Sequence, residues 1–147
     1  MPFPDLDGER VLELGNPGSM RFSLNALVLS GQKRATTGLW EIYQEESEPL
    51  EFEGERLWLV DNELQPITAV EVTRVDVRRF DQVDMDFVRA EAEGHETLEA
   101  WRKSKKAYWS ATAEPEMQSS GYQGWRVKNE TILVCLWFRL YQRPVSN

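Results

Sequence analysis

The chain has 147 residues, 41% hydrophobic and 29% charged, which suits one folded domain with a single core. Its net charge of −8 excludes a general nucleic-acid coat, because holding long duplex DNA through phosphate contacts needs a basic face. A single cysteine, Cys135, excludes an intramolecular disulfide, and a single histidine, His95, excludes a His-rich metal site.

Neither a metal nor another cofactor is expected. There is no basic-then-apolar leader and no apolar run near ~18 residues, so a cytoplasmic protein without a membrane span is expected. A small ligand, or a short flipped-out nucleotide, fits the acidic balance better than a long polymer. The chain carries six tryptophans, most of them expected in the core. Oligomeric state leaves no mark in the sequence.

In chain order, "MPFPDLDG" reads as a flexible arm over residues 1–8, and 9–147 as one domain. "ERVLEL", 9–14, predicts a short strand that "GNPGS" then punctuates. From Met20 to Ser30, Leu24, Leu27 and Val28 share one helical face, and Gly31 sits where a left-handed cap belongs. "ATTGLW" favours a strand, since Thr36 and Thr37 are β-branched and Trp40 is aromatic. The acidic "EIYQEESEPLEFEGE" reads as a solvated helix-turn and loop. "RLWLVD", 56–61, predicts a further strand.

"ITAVEVTRVDVRRF", 67–80, predicts a long strand with a fault. Val70 and Val72 lie on one face and Val75 and Val77 on the other, so the strand needs a bulge or sharp bend. Asp84 can cap a helix through Phe87, Val88, Ala90 and Glu91 that Gly94 ends. Thr97 can cap the next, with Leu98, Trp101, Tyr108 and Trp109 on one face. "EPEMQSSGYQGW" reads as a loop. "TILVCLWFRLY", 131–141, is apolar on both faces and predicts a central strand with Cys135 in the core. The assembled reading is α+β, with five or six strands curled into a small barrel-like sheet flanked by about three helices.

Lys33, Arg34, Thr36 and Thr37 crowd the join between the first helix and its strand. The helix dipole alone favours a lysine there, and threonine is a strand former. The same residues also suit chemistry. On an extended segment Lys33 and Thr36 do not share a face, so they converge only if the chain turns between them. The amine could then take the hydroxyl proton, with Arg34 adjacent and a carboxylate from elsewhere, Glu91 or Glu93, orienting it or protonating the leaving group. Lys33 and Arg34, with Lys103, Lys105 and Lys106, could form a local basic rim. Trp40, Tyr108 and Trp109 could stack a base.

"LVLSGQKRATTGLW", "ITAVEVTRVDVRRFDQVD", "FVRAEAEG" and "ETLEAWRKSKKAYW" together resemble the ASCH family of the PUA-like superfamily, from about Leu14 to Leu140. The resemblance implies a PUA-like β-barrel with a ligand cleft beside it, suited to RNA, a nucleotide or a nucleoside. Small bacterial amidohydrolases of N4-acetylcytidine belong to that superfamily. By resemblance their catalytic lysine, threonine and glutamate fall on Lys33, Thr36 and Glu91, with Arg34, Thr37, Trp40, Glu93, Lys105 and Tyr108 as candidate ligand contacts. In that scheme Thr36 attacks the acyl carbon, Lys33 activates it, and Glu91 assists proton transfer to the departing cytidine. The chain departs from the family pattern at Gly38, where an arginine is usual, and at Lys105, where longer relatives place a histidine. The resemblance also admits a non-catalytic RNA- or nucleotide-binding module, or a ribonuclease.

Overall fold

The computed structural model describes residues 5–6 and 8–141. Six strands form one mixed sheet: β1 (Asp5–Leu6), β2 (Glu9–Leu12), β3 (Ala35–Leu39), β4 (Arg56–Val60), β5 (Pro66–Arg79) and β6 (Ile132–Leu140). Their order is β1-β2-β4-β5-β6-β3; β2 and β4 run parallel and every other pair is antiparallel. Among the described residues the ladder ends at β1 and β3 without closing. Asp5 and Leu6, expected in the arm, pair with Arg10 and Glu9; residues 1–4 and 7 lie outside the described residues.

Helix α1 (Ser19–Leu29) precedes β3, and α2 (Trp40–Glu45) follows it directly. Helices α3 (Met85–Glu91), α4 (Leu98–Ala111) and α5 (Ala113–Ser119) fill the connection from β5 to β6. This corrects the reading of 114–125 as a loop. Pro115 sits in the first turn of α5, where no intrahelical N–H is needed, so it permits the helix that its presence argued against.

The fault in the long strand is a bulge. Val72 pairs with Phe138 and Arg74 with Trp137, leaving Thr73 as the extra residue. The consequence is physical: Val75, of opposite parity, returns to the face of Val70 and Val72 and joins the same apolar cluster. Strand β6 is central, paired with β5 on one side and β3 on the other. Its Leu136 and Phe138 enter the cluster with Leu57, Leu59 and Val70. Its Leu133 and Cys135 enter a second cluster with Phe80, Phe87, Trp101 and Trp109, beneath α3 and α4. Burial pushes the Cys135 thiol up to about 12, as befits a core side chain.

Helix α1 is held by polar groups as well as apolar ones. Arg21, Asn25 and Val28 are its buried residues. Arg21 donates to the Leu14 and Gly15 carbonyls, each at 3.1 Å, and Asn25 donates to the Val60 carbonyl at 3.0 Å. Of the expected apolar face, Val28 is buried and Leu24 packs against it.

The caps at Asp84 and Thr97 are present: Asp84 accepts from the Phe87 N–H and Thr97 from the Ala100 N–H, each at 3.0 Å. The end of α3 differs from expectation. Ala92 is its left-handed residue, at φ 57°, and Gly94, at φ 89°, continues the reversal. Among the described residues no helix is long and apolar enough to cross a membrane.

Candidate functional site

The site begins at Gly31, whose φ of 82° turns the chain sharply off α1. The N–H groups of Gln32 and Lys33 both donate back to the Leu27 carbonyl at 3.0 Å, closing the turn. Arg34 is then fixed by its backbone: its N–H donates to the Ala90 carbonyl at 2.7 Å, and its carbonyl accepts from the Phe138 N–H at 2.9 Å. The first bond draws the end of α3 against the start of β3, and the second ties that start to β6. Lys33 and Glu91, distant in sequence, therefore meet.

Lys33 is buried with its side chain fully covered. Its amine donates to the Glu91 carbonyl at 3.2 Å and to Glu93 Oε2 at 2.8 Å. The lysine thus satisfies the carboxyl end of α3, a helix terminus that leaves carbonyls unpaired and favours a cation. The dipole that favours Lys33 is therefore that of α3, not of α1.

Glu91 is the last residue of α3 and is 0% exposed. Its Oε1 accepts from the Trp101 indole N–H at 2.6 Å. Its Oε2 accepts from the Thr37 hydroxyl at 2.6 Å and from the Lys105 amine at 3.2 Å. A buried carboxylate is costly unless its oxygens are bonded, and here three donors converge on it. The helical period explains two of them. Lys105 lies four residues after Trp101 on α4, hence on the same face, and its amine sits 5.9 Å from the Trp101 ring centre.

Glu93 bridges the two lysines, 2.8 Å from Lys33 and 3.8 Å from Lys105. Burial pushes its carboxyl up, but Lys105 and Lys33, with His95 behind, outweigh that and hold it below the usual carboxylate range. Burial likewise pushes the Lys105 amine down, and Glu91 and Glu93 overcome it, so its pKa rises.

Strand alternation separates the two threonines. Thr37 shares its face with Ala35 and Leu39, which pack beneath α3 and α4, and so it reaches Glu91. Thr36 pairs with Leu136 and faces the other way with Gly38. Its hydroxyl makes no hydrogen bond to Lys33 or Glu91.

Both threonines line one cavity of about 550 Å³, together with Glu93, Lys105, Tyr108 and Trp109. That volume is in the range of small-ligand pockets. Arg34 and Lys33 instead line a second cavity of about 450 Å³, where Arg34 is exposed beside Glu71, Arg139 and Tyr141. Trp40 opens α2 half-buried and does not line the larger cavity. Among the described residues, no group of three or more His, Cys, Asp or Glu could hold a metal ion.

A further pair in the same cavity left no mark in the sequence. Tyr43 of α2 donates its hydroxyl to Glu51 Oε1 at 2.8 Å, and both residues are buried and line the cavity wall. They fall in the acidic stretch read as solvated. Trp101, read only as core, is also a donor to the site; its spacing from Lys105 is the signal that would have marked it.

A curled α+β sheet with a polar cleft at its β3 edge is the PUA-like arrangement. The model of the ASCH domain matches residues 11–142, and the chain belongs to the ASCH domain family. Membership supports an RNA- or nucleotide-binding module of PUA-like type. Protein EF3133 of Enterococcus faecalis V583, of family DUF984, is similar in structure, with a TM-score of 0.79 and 25% identity. The match covers 93% of this chain and 78% of that one. The ASCH domain from Lactobacillus crispatus JV V101 shares the fold, with a TM-score of 0.74 at 22% identity over 88% of this chain and 77% of that one. No curated protein matches this chain.

Proposed function

We propose that the cleft at the β3 edge takes a nucleoside-sized ligand and hydrolyses the amide of an N4-acylated cytidine. One observation carries the reading: a fully buried carboxylate, Glu91, gathers a threonine, an indole and a lysine at a cavity large enough for a nucleoside. In this reading the Thr36 hydroxyl attacks the acyl carbon and gives its proton to the Lys33 amine. The C–N bond breaks, the proton returns to N4 with the help of Glu91, and water releases the acid from the threonyl ester. Glu93, Lys105, Thr37 and Tyr108 contact the ligand. Arg34 and Trp40 contribute at the margins, for a nucleotide or short RNA longer than one residue.

Incubation with N4-acetylcytidine, followed by chromatography of cytidine, tests this. Lys33→Ala is expected to lower turnover by about 10²–10⁴-fold, the usual contribution of a positioned acid or base. Thr36→Ala is expected to abolish it, and Thr37→Ala, which removes one of the two donors to Glu91 Oε2, to leave a measurable rate. No turnover above the Lys33→Ala background across several acylated bases would remove the hydrolase.

The ion pair of Lys33 with Glu93, and the lack of a bond from Lys33 to Thr36, favour a second reading: a module that binds RNA or a modified nucleotide without turnover. Filter binding of short RNA at rising salt distinguishes it, because phosphate-driven binding weakens steeply. Fragmentation of the same RNA would signal a ribonuclease instead.

A further inference from the structure

The Tyr43–Glu51 pair is a second polar group in the cleft wall, and no step of the proposed hydrolysis uses it. We propose that Glu51, seated by Tyr43, reads the amidine edge of the bound base, a ring nitrogen acceptor beside an exocyclic N–H. This rests on the nucleoside reading above and names the residue that selects the base.

Three observations carry it. First, the carboxyl is buried, 9% exposed, yet lines a cavity that also holds Thr36, Lys105 and Tyr108. Second, its orientation is set, because Tyr43 donates to Oε1 at 2.8 Å. Third, Gly38 supplies the seat. A Cβ there would lie 3.1 Å from Tyr43 Cε1, tighter than ordinary contact, so the bare strand lets the ring close over β3.

Burial favours the neutral form of Glu51. Burial raises its pKa, against the Tyr43 hydrogen bond and the Arg10 guanidinium, while Glu55 adds to the rise. Arg10 is itself bound by Glu55 at 2.6 Å and Glu48 at 3.2 Å, and donates to the Leu50 carbonyl at 3.1 Å. A neutral carboxyl presents one O–H donor beside one acceptor oxygen, which keeps a lone pair after accepting from Tyr43. That pair matches cytosine N3 with its exocyclic N–H. With Oε1 held as the acceptor by Tyr43, a uracil in the same pose would set its carbonyl against an acceptor and its ring N–H against a donor.

Calorimetric titration of cytidine and uridine into the wild-type chain, Glu51→Gln and Glu51→Ala tests the assignment, with circular dichroism confirming that each variant is folded. The wild type is expected to prefer cytidine by at least about tenfold, the scale of one good two-point contact. Glu51→Gln, a permanent donor–acceptor pair, is expected to keep that preference. Glu51→Ala is expected to lose it through weaker cytidine binding. The wild-type preference should fade as pH rises and Glu51 ionises, whereas that of Glu51→Gln should not. An unchanged cytidine-to-uridine ratio in Glu51→Ala, or its loss in Glu51→Gln, overturns the inference and leaves the nucleoside reading standing. Absence of any nucleoside binding by the wild type overturns both.

Discussion

Replacing Glu91 with alanine is expected to destabilise the domain by about 3–5 kcal/mol, the scale for breaking a buried, paired charge. The carboxylate is 0% exposed and accepts from Trp101, Thr37 and Lys105. Its removal leaves the Trp101 indole N–H buried without an acceptor and the Lys105 ammonium with only Glu93, at 3.8 Å, besides an unfilled space. Thermal unfolding should show a Tm lower by roughly 6–20 °C for a chain of this size. Glu91→Gln keeps one acceptor oxygen and the side-chain volume, so it should unfold between the two, although its amide faces the Lys105 ammonium. A Glu91→Ala protein within about 1 kcal/mol of wild type, the range of an ordinary substitution, would mean that the network is not held as described.

Lys33→Met should cost about 1.5–3 kcal/mol, the scale of a hydrogen bond to a charged group, and the loss should depend on pH. Methionine fills similar space, so the change isolates the two bonds made by the amine. The pH dependence follows from Glu93. Its pKa is lower folded than unfolded, so its contribution is present above the ordinary glutamate range, ~4.3, and disappears as pH falls through the folded value. Without Lys33 the depression is smaller. The difference between variant and wild type should therefore be largest near neutral pH and shrink in acid. Lys105 acts at the other limb: its raised pKa contributes fully below the ordinary lysine value and is lost as pH rises through the folded one. Denaturant unfolding at neutral and acid pH measures the difference, and a pH-independent loss would contradict the Glu93 assignment.

What the sequence revealed was what local chemistry decides. Gly31, Asp84 and Thr97 mark helix ends because a left-handed turn or a side-chain cap acts within four residues. The parity fault between Val72 and Val75 is equally local, and the bulge at Thr73 resolves it. Gly94 was a near miss, since Ala92 takes the left-handed position in its place. Helix α5 was hidden by Pro115 and a polar composition, which lack an apolar period to follow.

The site was legible in its members more than in its pairings. Glu93, Lys105 and both threonines line the cleft, Glu91 bonds Thr37 and Lys105 from behind it, and Lys33 lines the other cavity; which threonine touches Glu91 depends on which face of β3 the helices cover. That is a tertiary fact, set by Arg34 bonding to the Ala90 carbonyl across the fold. Glu51 was illegible for a similar reason. Nothing around it in "SEPLEFEGE" distinguishes a buried glutamate from its solvated neighbours, and its burial depends on Tyr43 packing over Gly38.

The most direct test of a nucleoside cleft at the β3 edge is a titration of the ¹⁵N-labelled chain with cytidine, followed by NMR shift mapping. The account predicts saturable shifts centred on Thr36, Thr37, Tyr43, Lys105 and Tyr108, which line the larger cavity. Shifts confined to Arg34, Glu71 and Arg139 around the other cavity, or no shifts at all, would contradict it.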